Sequence, residues 1–130
     1  MKKFVRFMPL IACLSISTAI AGDFDGSKKL ICAPSEAMNC VSGEPCVSGR
    51  PIDFGAPAFL HIDIAKKTIG GPRRTTKIQI VEKSENQLLL LGTELNIAWT
   101  LALNTTDGTI AGTLADHDGV VALFGSCTPL

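Results

Sequence analysis

From Ala58 onward the chain alternates apolar and polar residues with a period of two. That pattern restricts it to strands with one buried face, joined by tight turns. Leu60, Ile62 and Ile64 alternate with Phe59, His61 and Asp63. Residues 75–82 alternate again, with Ile78 and Ile80 expected inside and Lys77 and Gln79 outside. Gln87 to Leu91 reads as a buried aliphatic strand. Leu95 to Leu103 is the longest run, with Ile97, Trp99, Leu101 and Leu103 on one face and Ala98, Thr100 and Ala102 on the other. Asn104-Thr105-Thr106-Asp107-Gly108 carries hairpin chemistry, because Asp-Gly supports the positive φ values such turns need, and Asp116-His117-Asp118-Gly119 reads as a second hairpin turn. They flank a strand over 109–115 and precede a last strand over 120–125. Strands so closely spaced predict an antiparallel meander, forming an open bent sheet or a small barrel.

Upstream the pattern changes. Residues 22–29 are polar and Gly-rich and read as a loose lead-in, and Lys29 to Cys32 starts a strand. Ala33 to Asn39 reads as a short helical turn, since Pro34 suits a first-turn position and Glu36, Ala37 and Met38 are good helix formers. Val41 to Pro51 holds two Gly, two Pro and two Ser and reads as loop. The expected fold is therefore mainly β, with one short N-terminal helical turn.

Residues 1–21 have the plan of a secretory signal peptide. Lys2, Lys3 and Arg6 precede an apolar run, and Ala19-Ile20-Ala21 is an A-x-A cleavage site before Gly22. The run is too short to span a bilayer. Leu10-Ile11-Ala12-Cys13 outlines a rival lipobox, but Arg6 and Pro9 interrupt the stretch before Cys13. The expected product is one exported domain over 22–130, periplasmic or extracellular, with a Cys-rich part over 22–57 and the meander over 58–130. It has no integral membrane segment.

That product keeps Cys32, Cys40, Cys46 and Cys127. Four cysteines in an oxidising compartment allow three disulfide pairings. Cys40–Cys46 with Cys32–Cys127 is the preferred set: the first clips the Ser42-Gly43-Glu44-Pro45 turn, and the second ties the last strand to the start of the fold. The spacings match no zinc ribbon and no C-x-x-C redox motif.

Charge and aromatic content narrow the function classes. Three of the twelve cations lie in the leader, leaving nine Lys/Arg against twelve Asp/Glu. A net acidic chain is poorly suited to nucleic acid, which is bound by displacing counterions from a basic surface. Four Phe, Trp99 and no Tyr remain, too few for a stacked single-strand groove. The core must be aliphatic.

The C-terminal half, Trp99-x-Leu101-x-Leu103, Asn104-x-x-Asp107-Gly108 and Phe124-Gly125-x-Cys127, resembles small exported bacterial proteins of unknown function that share a W-x-L…D-G…F-G-x-C tail. That resemblance implies a disulfide-anchored β fold and an exported location, with no activity attached. In size, cysteine use and β content the chain is also broadly similar to periplasmic lysozyme inhibitors. Their S-G-x-x-Y loop needs a tyrosine, which this chain lacks.

No catalytic constellation is legible. No G-x-S-x-G elbow precedes a helix, and the cysteines are expected to be oxidised. His61 and Asp63 share a strand face, and His117 lies in a turn between two Asp; together they are weak metal candidates, and no metal or cofactor is expected. Asn104-Thr105-Thr106 matches the glycosylation sequon but reads as turn chemistry. Lys66, Lys67, Arg73, Arg74 and Lys77 form the one basic cluster. The expected function is noncatalytic binding of a protein partner in the bacterial envelope through 42–53 and 66–77. A small-ligand or metal-ion carrier with a lipocalin-like scaffold is the alternative.

Overall fold

The computed structural model describes residues 22–130; the expected leader, its cleavage site and Cys13 lie outside the described residues. Ten strands follow in chain order: β1 (Leu30–Val41), β2 (Val47–Gly49), β3 (Leu60–Asp63), β4 (Thr68–Gly70), β5 (Thr75–Lys77), β6 (Ile80–Lys83), β7 (Gln87–Glu94), β8 (Ile97–Asn104), β9 (Thr109–Ala115) and β10 (Gly119–Pro129). A 3-10 turn at Pro51–Phe54 precedes β3. Every pairing is antiparallel, and the sheet runs β5-β4-β3-β1-β10-β9-β8-β7-β6, with β2 added beside β1.

The hydrogen-bonded ladder is open between β5 and β6, which makes the sheet a half-barrel. Those two edge strands are nevertheless consecutive in the chain, linked by Ile78 and Gln79. The Ile78 N–H donates to the Lys67 carbonyl (2.8 Å) and the Gln79 N–H to the Leu91 carbonyl (2.9 Å). One bent strand therefore leaves β4 and joins β7. The expected alternation over 75–82 fails at this point. Ile78 is fully buried, but Ile80 is 49 % exposed and Val81 packs on the core instead. The strand changes partner between Lys77 and Ile80, from β4 to β7, and the side-chain phase shifts by one residue there.

The concave face is filled. Leu30, Ile62, Ile78, Leu88, Leu90 and Leu103 are no more than 1 % exposed, and Cys32, Trp99, Leu101 and Ile110 complete the cluster. Trp99 stacks on Gly92, its direct partner on β7. A Cβ at Gly92 would overlap the indole ring, coming within 2.7 Å of its Cε2, and would lie 3.0 Å from the Lys77 carbonyl oxygen. The Trp99 indole N–H is buried without an acceptor. Such an orphan costs about 1–3 kcal/mol, which burial of so large a ring offsets. A smaller cluster of Ala37, Ala56 and Leu123, with Phe54 and Val121, lies under the 3-10 turn.

Four local expectations need correction. Ala33–Asn39 is not helical but the middle of β1. Helix propensity there is overridden by β10, which pairs with β1 along its whole length. The register slips between Pro34 and Glu36, so the imino residue sits at a bulge, where a missing N–H is tolerated. Gly125 faces that bulge, and a Cβ there would come within 2.8 Å of the Pro34 Cα. The expected loop over 41–51 contains β2. Residues 22–29 are not a loose lead-in: Phe24 packs on the core with its ring over Gly108, and the Lys83 ammonium donates to the Asp25 carbonyl. Leu95 does not begin β8. Leu95 and Asn96 have φ of 48° and 67° and form the two-residue turn between β7 and β8.

Both disulfides have the preferred pairing, Cys32–Cys127 and Cys40–Cys46. Cys32 and Cys127 face each other in the β1–β10 ladder. No helix among the described residues is long and apolar enough to cross a membrane.

Two stability outcomes are expected. Replacing Cys32 and Cys127 by Ser, across a separation of 95 residues, should cost about 4–5 kcal/mol in urea unfolding, and replacing Cys40 and Cys46 about 2 kcal/mol, on the chain-entropy model. Gly92→Ala should destabilise by about 1–3 kcal/mol through overpacking and shift the native Trp99 emission, whereas Ala98→Gly, outward on the same strand pair, should leave that emission unmoved.

Candidate functional site

Strands β3, β4 and β5 form one wall of the half-barrel, and it gathers the basic residues. Ile62 and Ile69 point to the core, so their neighbours point out: His61 and Asp63 on β3, Thr68 on β4, Thr75 and Lys77 on β5. Lys66 and Lys67 occupy the β3–β4 turn. The turn is fixed by the Asp63 carboxylate, which accepts the Lys66 N–H at 3.0 Å, and by a positive φ of 52° at Lys67. Arg73 and Arg74 occupy the β4–β5 turn at the other end of a three-residue strand. Lys77 sits opposite Thr68, between the two turns.

All five cations of the expected cluster are exposed. Arg74 pairs with Glu94 at 3.3 Å, tying the β4–β5 turn to the end of β7. The Thr76 hydroxyl and the Arg74 guanidinium hold the Glu94 carboxyl below its ordinary pKa. Lys29 lies 3.8 Å from Asp63. Among the described residues Lys66, Lys67, Arg73 and Lys77 have no ion-pair partner. The structure thus brings the basic cluster onto one wall, with Arg74 partly committed to a structural contact.

The loop over 42–53 lies elsewhere, beside β1. The Cys40–Cys46 bond clips it, and the Arg50 guanidinium chelates Asp53 with contacts of 3.0 and 2.8 Å. This pairing lowers the Asp53 pKa and raises that of Arg50. Val47 and Ile52 stand exposed on it.

The histidines do not meet. His61 is level with Ile31, and Ile31 with Thr128, at the opposite end of β10 from the turn that holds His117. Ten residues of strand separate those levels by roughly 30 Å. His61 and Asp63 border a shallow groove with Lys29, Thr68 and Thr75. Asp116, His117 and Asp118 offer ligand atoms within 4.8 Å of one another, but all three are exposed. Asp116 already accepts the N–H groups of Asp118 and Gly119, as its turn requires. In the other hairpin Asn104 accepts the Thr106 N–H at 2.8 Å, the turn chemistry expected of it.

The chain matches no protein-family model, no curated protein and no solved structure among those compared with it.

Asp107 gives a pH test of how these turns hold. Its carboxylate accepts the Thr109 N–H (2.9 Å) and the Thr109 hydroxyl (2.7 Å), which hold it below its ordinary value of 3.8. A depressed folded pKa contributes stability above the unfolded value, and that stability is lost as pH falls through the folded one. Asp107→Asn keeps an acceptor and removes the charge. The variant's urea midpoint should therefore fall less steeply than the parent's as pH drops below about 4.

Proposed function

We propose that this chain is an exported, noncatalytic binding module that engages an acidic protein partner of the bacterial envelope through the β3–β5 wall. The observation that carries this reading is the placement of four unpaired cations, Lys66, Lys67, Arg73 and Lys77, on one wall of a chain that is net acidic over 22–130. Segregated charge of that kind steers and orients a complementary surface more than it adds affinity. Two turns on a short, rigid strand hold the cations in fixed relation, the usual arrangement of recognition residues.

Two further observations support the choice. A carrier of the lipocalin type needs a hollow interior, and here buried aliphatic side chains fill it. The two disulfides suit an oxidising compartment, as the leader does.

The test is capture from a solubilised envelope fraction by immobilised protein. The parent should retain an acidic protein at low ionic strength and release it as salt approaches about 0.5 M, where the Debye length falls to a few ångströms. Lys66→Glu/Arg73→Glu/Lys77→Glu should lose that capture while keeping the parent's thermal midpoint. Equal capture by the triple variant removes the basic wall from the reading.

A further inference from the structure

The filled core stops short of one end of the half-barrel. Phe24 plugs the other end, its ring over Gly108. At the end that holds the β9–β10 turn, the last inward residues stay only half-buried. Ala37 and Leu123 face each other across β1 and β10 and are buried. Two residues nearer this end, Asn39 and Val121 take the same side, level with Leu114 on β9 and Trp99 on β8. One level further out stand Val41 and Gly119, with Ile97 at the start of β8. Together with Phe54 of the 3-10 turn they line a cleft of about 330 Å³, at the lower end of the range that small-ligand sites use.

The lining has three chemically distinct parts. Val41, Phe54, Ile97, Leu114 and Val121 make its wall apolar, and release of water from that wall favours an apolar occupant. The Asn39 side-chain amide is half-buried beside them and makes no hydrogen bond among the described residues. It therefore has a donor and an acceptor to offer an occupant. The rim is negative: Asp116 and Asp118 border the cleft, and no lysine or arginine does. Asp116 commits Oδ1 to the N–H groups of Asp118 and Gly119, which leaves Oδ2. Asp118 lies 3.2 Å from His117 Nε2 and is otherwise open to solvent.

We infer that this cleft binds a small organic ammonium ion, an amine that carries a compact aryl or branched alkyl body. The body lies against Phe54, Leu114 and Val121, above the buried core and without displacing it. The ammonium donates to the Asn39 side-chain oxygen and faces the two carboxylates. An apolar wall on one side weakens solvent screening of that attraction. An organic anion of the same shape would meet two like charges. A bare cation would gain the charge but not the wall. The site stands apart from the basic wall and does not depend on its partner.

A ¹H–¹⁵N correlation titration of protein purified after expression of the full chain tests this, with 2-phenylethylammonium as the probe at low ionic strength. Shifts should saturate with a dissociation constant on the order of 0.1–1 mM and centre on the Asn39 side-chain amide, Leu114, Gly119 and Val121. Phenylacetate, with the same ring and the opposite charge, and ethylammonium, with the head alone, should both fail to saturate by about 10 mM. Asp116→Asn/Asp118→Asn keeps the turn's acceptor and should weaken binding roughly fivefold or more. Val41→Phe, at an exposed strand end, should narrow the cleft and weaken it roughly tenfold. Both variants should keep the parent's spectrum outside the cleft. Lys66→Glu/Arg73→Glu/Lys77→Glu should bind the amine no more weakly than the parent, so failure here and failure of partner capture are separate results. No saturable shift in the parent, or shifts centred on another surface, overturns the inference. So does equal binding of phenylacetate or ethylammonium, or undiminished binding by the Asp116→Asn/Asp118→Asn variant.

Discussion

Two residues, Ile78 and Gln79, join opposite edges of the sheet, and the rest of the structure follows from that link. Laid flat, the nine strands of the path from β5 to β6 would set those edges about 38 Å apart. From Lys77 to Ile80 the chain reaches at most about 11 Å. The sheet must therefore curl until its edges meet, whatever the side chains prefer. Curling divides the outward surface from an interior of fixed girth. Ile78 sits at the seam and faces inward, fully buried. Arg74 with Glu94 and Gln79 with Thr93 draw β5 against β7 from outside. The seam is thus closed by covalent chain, two backbone hydrogen bonds and polar contacts rather than by a full ladder.

A fixed girth explains the residues that line it. Trp99 fits only because Gly92 opposite it has no side chain. The end of the barrel toward Lys83 is plugged by Phe24 from the segment before β1. Cys32–Cys127 then locks β1 to β10, the one pairing in the ring that brings together distant parts of the chain. The other neighbours in the ring are closer in sequence, β1 and β3 with Leu30 opposite Ile62 being the next most distant, so this disulfide acts where loop closure is entropically most expensive.

Much of this was legible where strand alternation and turn chemistry agreed. The faces of β8, the Asp-Gly turns, the extent of β9 and the cysteine pairing all follow from residue type and spacing. What was not legible depended on a distant partner. Glu36, Ala37 and Met38 favour helix locally, and only β10 makes them strand. Leu95 is a poor turn residue, and its positive φ is imposed by the register of β7 on β8. The phase slip at Ile80 arises from a change of pairing partner, which no local pattern records. The basic cluster was legible as a run of residues; its placement on one wall, away from the Ser42–Asp53 loop, was not. Nor was the uncharged outward face of β7–β10, which is assembled a few residues at a time from four strands.

The two outward walls have a fixed relation. Counting the bent β5–β6 strand once, the ring runs β1, β3, β4, β5–β6, β7, β8, β9, β10, so β4 and β9 lie diametrically opposed. The basic wall and the small-residue face of β8 and β9 therefore point in opposite directions, so a partner seated on the β3–β5 wall leaves the far side of the ring uncovered. The filled interior makes no contribution to recognition in this arrangement; its part is to hold two chemically unlike walls rigidly back to back.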